Sequence, residues 1–565
     1  MMLGIINGEV YDPQNGINGE VRDIWIEDGK IVSAPAASPP ELGGTEGGRD
    51  AAVIIDATGL VVMPGGVDIH SHIVGAKVNS GRKFRPEDHR DHVRARTPLG
   101  PPFRGEVRGA TRSGSGYTVP STYMTGYMYA EMGYTTVMEA ATAPLVARHT
   151  HEELEDTPIL DKGVFITMGN NHFIMNCIRD GQREKARDYV AWLLEATKGY
   201  AIKIVNPGGV ENWKWGRNVS ELDDEVIGFG VTPRQIITTL AWINDELGLP
   251  HLPHIHGLNL GQGGNARTTV EMIEALEGRR AHFCHLQFLS YGGKPGKRLR
   301  SGAAEIARAV NEHPNITIDV GQIIFGPATT MTSDGPLQYR LHQLTGNKWL
   351  NDDVEGETGG GVVPMQYKRN NPFNAVQWLT GMELFLLIDD PWRVFLTTDH
   401  PNAGPFFYYP QVIKLLMDRD YRAEMLESIH HRARKGALLA ELDREYSLYE
   451  IAIITRAGTA RVLGLKNKGH LGVGADADVT IYAKLDDPEE MFAHPRYVLK
   501  DGEVVVRDGR LVRERPGRTL YVTPPYDAGI EADLRTHFEE CYTISFDNYP
   551  VAAEYLPHCE VVPCA

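Results

Sequence analysis

Cysteine is scarce in this chain. There are five in 565 residues, Cys177, Cys284, Cys541, Cys559 and Cys564, and no CxxC pair among them. That excludes a disulfide scaffold and a thiolate zinc module, and it fits free thiols in a reducing compartment. No apolar run is long enough to span a membrane. The opening stretch, residues 1–10, reads as a strand and lacks the charged and apolar regions of a secretory signal. A cytoplasmic protein without a membrane partner is therefore expected. Positive charge is also short: 57 Lys and Arg face 74 Asp and Glu, leaving a net charge of -17. Such a balance disfavours nucleic acid as the partner. A hydrophobic share of 42% and a charged share of 23% are those of a globular protein, and the length asks for a large domain plus a smaller unit. Histidine, by contrast, is plentiful at 21 residues, and several sit inside apolar runs.

The first sixty residues alternate short strands with turns, and Asp28-Gly29 in EDGK suits a tight hairpin. The same texture returns in ADVTIYAKL and VLKDGEVVVRDGRLV. Residues 1–62 and 466–525 are thus predicted to form one composite β-sandwich from both chain ends. Between them, at 63–465, amphipathic helices alternate with single apolar strands. TPRQIITTLAWINDELGLP has Thr232 as N-cap, Pro233 at the first helical position, and Ile236, Ile237, Leu240, Ile243 and Leu247 at helical spacing. A strand, LPHIHG, follows, and the unit recurs. This α/β pattern implies a parallel sheet, and its length favours a (β/α)8 TIM barrel over an open sheet. Residues 79–120, rich in Arg, Pro and Gly, read as a long inserted loop. Residues 526–565 read as a tail that packs on another part of the molecule.

The chemistry lies at the predicted strand ends. VDIHSHIVG places His70 and His72 two residues apart, so both imidazoles share one face of a strand. At the C-terminal end of a barrel strand that face meets the active-site mouth, where two neutral imidazoles suit one metal. Taken alone, two hydrogen-bonded histidines would fit as well. Four further segments repeat the arrangement: AIKIVNPGG with Lys203, PHIHGLNLG with His254 and His256, AHFCHLQFLSYGG with His285, and RVFLTTDHPN with Asp399. Each sets a ligand-type side chain shortly before Gly, Pro or Asn. A lone buried lysine usually snorkels or pairs with an acid. Burial also favours the neutral amine, and a neutral amine can add carbon dioxide. The resulting carbamate could bridge two cations, which in such sites sit about 3.5–4 Å apart. Carboxylation of Lys203 is therefore expected. Asp399 could bind one metal, take the proton of an attacking water and pass it to a leaving nitrogen. Imidazole and carboxylate donors favour zinc without fixing the metal.

These pieces resemble the amidohydrolase superfamily in its dihydroorotase and hydantoinase branch, through MPGGVDIHSH, AIKIV, FCHLQ, TTDHP and ARVLGLKNKGHLGVGADADVTIY. The resemblance implies two divalent metal ions, with His70 and His72 on the first. It further implies carboxylated Lys203 between them, His256 and His285 on the second, and Asp399 as ligand and catalytic base. His254 points inward too and rivals His256. A narrower resemblance is to the A-type subunits of formylmethanofuran dehydrogenases and of the related bacterial formyltransferase/hydrolase complex. It rests on PSTYMTGYMYAEMGYTTVMEAA, HTHEELEDTPILDKG, IKIVNPGGVENWKWG, HIHGLNLGQGGN and FYYPQVIKLLMDRDYR. It implies hydrolysis of an N-formyl group on a furan-amine carrier to formate and amine, or the reverse condensation. It also implies a hetero-oligomer with formyltransferase and dehydrogenase-like subunits. Of the two complexes, the reading leans to the bacterial one.

The carrier of that family has a polyglutamate-type tail, and two basic stretches suit it. From Arg82 to Arg112 nine basic residues, Arg82 and Lys83 among them, face four acidic ones. Lys294, Lys297, Arg298 and Arg300 form a second cluster after His285. Both could steer a polyanion, or be no more than solvated loops. Two other readings share much of the pattern: a stand-alone cyclic-amide hydrolase, which needs no basic loops, and a non-catalytic scaffold, which would be expected to have lost metal ligands.

Overall fold

The computed structural model describes residues 2–35, 53–84, 118–294, 299–355 and 358–565. Eight parallel strands run in chain order around a barrel: Gly66–Ser71, Tyr134–Thr142, Asp161–Thr167, Ala201–Val205, His254–His256, Ala281–Phe283, Ile316–Asp319 and Val394–Phe395. Each pairs with the next. The last gap is bridged beyond the eighth strand, where His72 N donates to His400 O at 2.7 Å and Ser71 pairs with His400.

Short strands hold this shape because the helices before them are well specified. Helix Pro233–Glu246 opens with a capping box: Thr232 Oγ1 accepts from Gln235 N, and Gln235 Oε1 accepts from Thr232 N. Its predicted apolar face, Ile236, Ile237, Leu240 and Ile243, is fully buried against the barrel. The strands themselves are buried throughout, as a sheet sandwiched between helices and its own interior must be.

Strands from both chain ends share one nine-stranded sheet. The join is an antiparallel pairing of Leu60–Pro64 with Val479–Ala483. Ile5, Ile26, Val62, Val479, Ile481 and Leu499 lie in a single core cluster beneath it. The Asp28-Gly29 turn forms, with both residues at positive φ. Thr519–Tyr521, which the sequence reading assigned to this end unit, instead lies beside the third barrel strand. There it pairs with Cys559–Val561 of the tail. The tail packs on barrel helix Arg183–Thr197, where Trp192 stacks on Phe546 and Tyr549 at 5.3 and 5.8 Å.

One element was not anticipated. Between the seventh and eighth barrel strands the chain builds an antiparallel sheet of Gly326–Thr332, Leu350–Val354 and Thr358–Tyr367, with helix Gly335–Thr345 beside it. This insertion stands over the C-terminal ends of the barrel strands.

A buried ionic cluster fastens the barrel to the end sheet. Asp161 receives Lys468, Lys500 and Arg518 at 2.5, 2.8 and 2.9 Å. Asp476 and Asp478 complete the balance against Lys468 at 2.9 Å each. Lys500 and Asp161 are wholly inaccessible, so removing one partner strands a charge. Lys500→Met is expected to cost about 3–5 kcal/mol, read as a lower denaturant midpoint; a midpoint equal to wild type would show that the cluster does not fasten the two units.

Candidate metal centre

The barrel brings His70, His72 and Asp399 together at its mouth. His70 Nε2 lies 3.0 Å and His72 Nε2 3.3 Å from Asp399 Oδ1. The opposite nitrogens are anchored: His72 Nδ1 meets Glu139 Oε1 at 2.9 Å, and His70 Nδ1 meets His254 Nε2 at 2.8 Å. Glu139 Oε2 also accepts from Ile73 N and Val74 N, which fixes the loop leaving the first strand. Anchoring one imidazole nitrogen to orient the other is how proteins aim histidine ligands.

His254 and His256 both face inward, as strand parity requires, but at different depths. His254 pairs in register with Lys203, and His256 with Val205. His254 bonds His70 above and His251 at 3.1 Å, and its ring stacks on His282 at 4.6 Å. His256 stands one layer higher, 4.8 Å ring to ring from His285. Its Nε2 is held by Asp334 Oδ2 at 3.2 Å. His285 leaves the sixth strand at φ 36 with its N–H on Asp319 Oδ1. That bend needs Gly321 opposite: a Cβ there would stand 2.5 Å from His285 Cβ.

Lys203 is buried, and among the described residues no carboxylate lies within ion-pairing distance of it. Its Nζ donates to Cys284 Sγ at 3.0 Å, and that sulfur is 3.3 Å from His285 Nε2. Asp319 lies at the floor, 3.3 Å from His70 Nδ1 and 3.1 Å from His282 Nε2, and accepts from Thr397 Oγ1 at 2.6 Å. Glu139, Cys284, Asp319 and Asp334 were not singled out in the sequence. Asp319 could have been: it ends ITID, an apolar strand of the same kind as the others.

The donors suit a divalent cation. Burial pushes His256 and His285 below the usual imidazole range, which keeps them neutral and able to bind metal. Asp399 is held well below the usual carboxylate range although burial opposes it, with the His70 and His72 imidazoles hydrogen-bonded against it. His285 Nδ1 is buried without a hydrogen-bond partner, as a nitrogen reserved for a metal would be. Among the described residues three sets at the mouth, His70, His72 and Asp399; His70, Cys284 and His285; and His70, His254 and Asp319, hold all their donor atoms within 4.8 Å of one another.

The model of the amidohydrolase family matches residues 53–506. The chain belongs to the amidohydrolase family. Over 98% of its length it is 49% identical to Protein FwdA of Methanocaldococcus jannaschii, covering 97% of that protein. Over 99% it is 38% identical to the FhcA component of the formyltransferase/hydrolase complex of Methylorubrum extorquens, covering 98% of that component. The solved complex FhcABCD from Methylorubrum extorquens, described with methylofuran, contains a chain that superposes over 100% of both lengths, with a TM-score of 0.91 and 37% identity. The leaning toward the bacterial complex gains nothing from these values, since the Methanocaldococcus protein is the more similar of the two.

In this amidohydrolase the expected tail-binding residues are scattered. Arg82 is committed internally, its guanidinium donating to Pro120 O, Ile73 O and Asn79 Oδ1. Lys83 and Lys294 are exposed. Lys297, Arg298 and most of the inserted loop lie outside the described residues. The two depths on the fifth strand also separate His256 from His254 experimentally. His256→Ala is expected to hold less metal at saturation than wild type. His254→Ala should hold as much as wild type but about 10–100-fold more weakly through His70. Metal analysis after equilibrium dialysis reads both; the opposite pattern would make His254 the ligand.

Proposed function

We propose that this protein hydrolyses an N-formyl amide on a methanofuran-type carrier to formate and free amine, or runs the reverse condensation, as the hydrolase component of a multi-subunit complex. The observation that carries the proposal is the full-length likeness to FhcA, coupled with six polar side chains converging where that chemistry would occur. The partners proposed are formyltransferase and dehydrogenase-like subunits and a formylated furan-amine carrier with a polyanionic tail, which Lys83, Lys294, Lys297 and Arg298 would help to hold.

His70 and His72, Lys203 in carboxylated form, and His256 and His285 with Asp399 are the residues assigned to two zinc ions. Cations held there would supply Lewis acidity, polarising a carbonyl and making water a competent nucleophile near pH 7. In this reading Asp399 works on the proton. Its carboxylate is ionised, and Asn402 Nδ2 steadies Oδ1 at 2.9 Å. It accepts a proton as water adds to the formyl carbon and returns it to the nitrogen as the C–N bond breaks, so formate and amine leave with no other reagent consumed. Neutral His256 stays oriented by Asp334, and Glu139 does the same for His72.

Asp399→Asn in the metal-loaded protein should lower kcat on the order of a thousandfold, with formate release from an N-formyl amine as the assay. Mass spectrometry of the intact loaded chain should show one added carbon dioxide, absent in Lys203→Ala. Turnover of a hydantoin or dihydropyrimidine but no formyl amide would favour the cyclic-amide reading. A loaded chain that turns over neither would leave the scaffold reading.

A further inference from the structure

A row of imidazoles runs from the barrel mouth down toward the N-terminal ends of the strands. His70 Nδ1 lies 2.8 Å from His254 Nε2, and His254 Nδ1 lies 3.1 Å from His251 Nε2. His251 Nδ1 in turn lies 2.9 Å from Val462 O. All three rings are wholly inaccessible. Phe165 keeps the lower two in place, stacked on His251 at 5.0 Å and tilted against His254 at 4.9 Å. His251 itself precedes the fifth strand and does not reach the mouth.

The oxygen at the foot of the row belongs to the end of a helix. Helix Gly458–Val462 stops there, and the final carbonyls of a helix have no partner within it. Side chains of the barrel take two of them: Val462 O meets His251, and Leu463 O accepts from Tyr200 Oη at 2.5 Å. The close approach depends on Gly464, which turns the chain at φ 72. A Cβ there would stand 2.6 Å from Pro250 Cβ and push the helix end away from His251.

A carbonyl oxygen can only accept, so His251 carries its hydrogen on Nδ1. Burial pushes the His251 imidazole down to about 3 and holds His254 well below the usual range, so each ring is neutral with a single hydrogen. His251 Nε2 is then a bare acceptor. His254 Nδ1 must donate to it, which leaves His254 Nε2 bare in turn. His70 Nδ1 donates to that nitrogen, with Asp319 Oδ2 at 3.3 Å as a second acceptor. We infer that Val462 O, acting through His251 and His254, fixes which nitrogen of His70 is bared at the mouth, and that His251 is a positioning residue for the cation site. The inference rests on the proposed reading of His70 as a metal ligand. The opposite setting would place a hydrogen on His254 Nε2, aimed at His70 Nδ1. His70 would then carry its own hydrogen on Nε2, toward Asp399, where it competes with a cation. Because the row ends on an oxygen with no hydrogen to give, it transmits orientation and moves no proton through the barrel.

Two measurements on the full chain test this. Two-bond nitrogen–proton NMR of the metal-free protein with isotope-labelled histidine should show His251 and His254 as neutral rings with their hydrogens on Nδ1. Their signals are assigned by loss in His251→Gln and His254→Gln. Zinc affinity, from competition with a chromophoric chelator, should fall about tenfold in His251→Phe, which keeps a ring against Phe165 but offers no acceptor. In His251→Gln, whose amide both donates and accepts, it should return to within about threefold of wild type. A hydrogen on His254 Nε2 in wild type overturns the inference. So does wild-type zinc affinity in a folded His251→Phe, or a loss in His251→Gln as large as that in His251→Phe. Should His251→Phe not fold, the wild-type tautomers decide alone. A wild-type chain that takes up no zinc defeats the metal-ligand reading of His70 instead, and the NMR result still decides the setting of the row.

Discussion

Desolvation of the barrel mouth is the constraint on which the rest depends. His70, His254, His282, His285, Asp319 and Asp399 are each 2% exposed or less, and burying so many ionisable groups is costly unless each finds a partner. Asp319 does most of the balancing. One oxygen holds Thr397 and the His285 amide, while the other faces His70 and His282. Its charge, together with that of Asp399, lifts His70 above the usual imidazole range despite burial. The mouth is thus a ring of mutually anchored polar groups, and groups held in place in this way cost little reorganisation during reaction.

Much of this was legible because a barrel strand is short and wholly buried, so a polar residue at its end stands out. His70, Lys203, His256, His285 and Asp399 were all expected on that ground, and the barrel brings them to its mouth. Glu139 was not: it sits within YTTVMEAAT, a strand buried at every position, and nothing local marks it from a buried acid of another kind. Parity put His254 and His256 on one face but could not tell their depths, which come from the pairing of His254 with Lys203. Asp334 was beyond reach for another reason. It belongs to the insertion, and its contact with His256 spans 78 residues.

Hairpin grammar likewise announced that the two chain ends share a sheet, because strand pairing between similar textures is the simplest way to hide both edges. The same grammar misplaced Thr519–Tyr521. A three-residue parallel strand leaves no periodic trace, and its position is set by Asp161, which accepts from Arg518 N at 2.7 Å at the foot of the third barrel strand. Long-range charge pairing, which no window of sequence displays, decided where that segment went.

The insertion is tied to the barrel mouth through one side chain. Asp334 Oδ1 caps helix Gly335–Thr345 by accepting from Leu337 N, while its Oδ2 holds His256. It also receives Asn206 Nδ2, just past the Lys203 strand, at 3.1 Å. The helix that carries Leu337 and Arg340 along the cavity opening on Asp399 therefore starts at a residue bonded to His256 at the barrel mouth. A displacement of that helix cannot leave His256 untouched, because a buried carboxylate that loses its imidazole or its amide partner is left with an unmet charge. The insertion helix and His256 therefore share one buried anchor, and a substitution at Asp334 would disturb the cavity wall and the barrel mouth together.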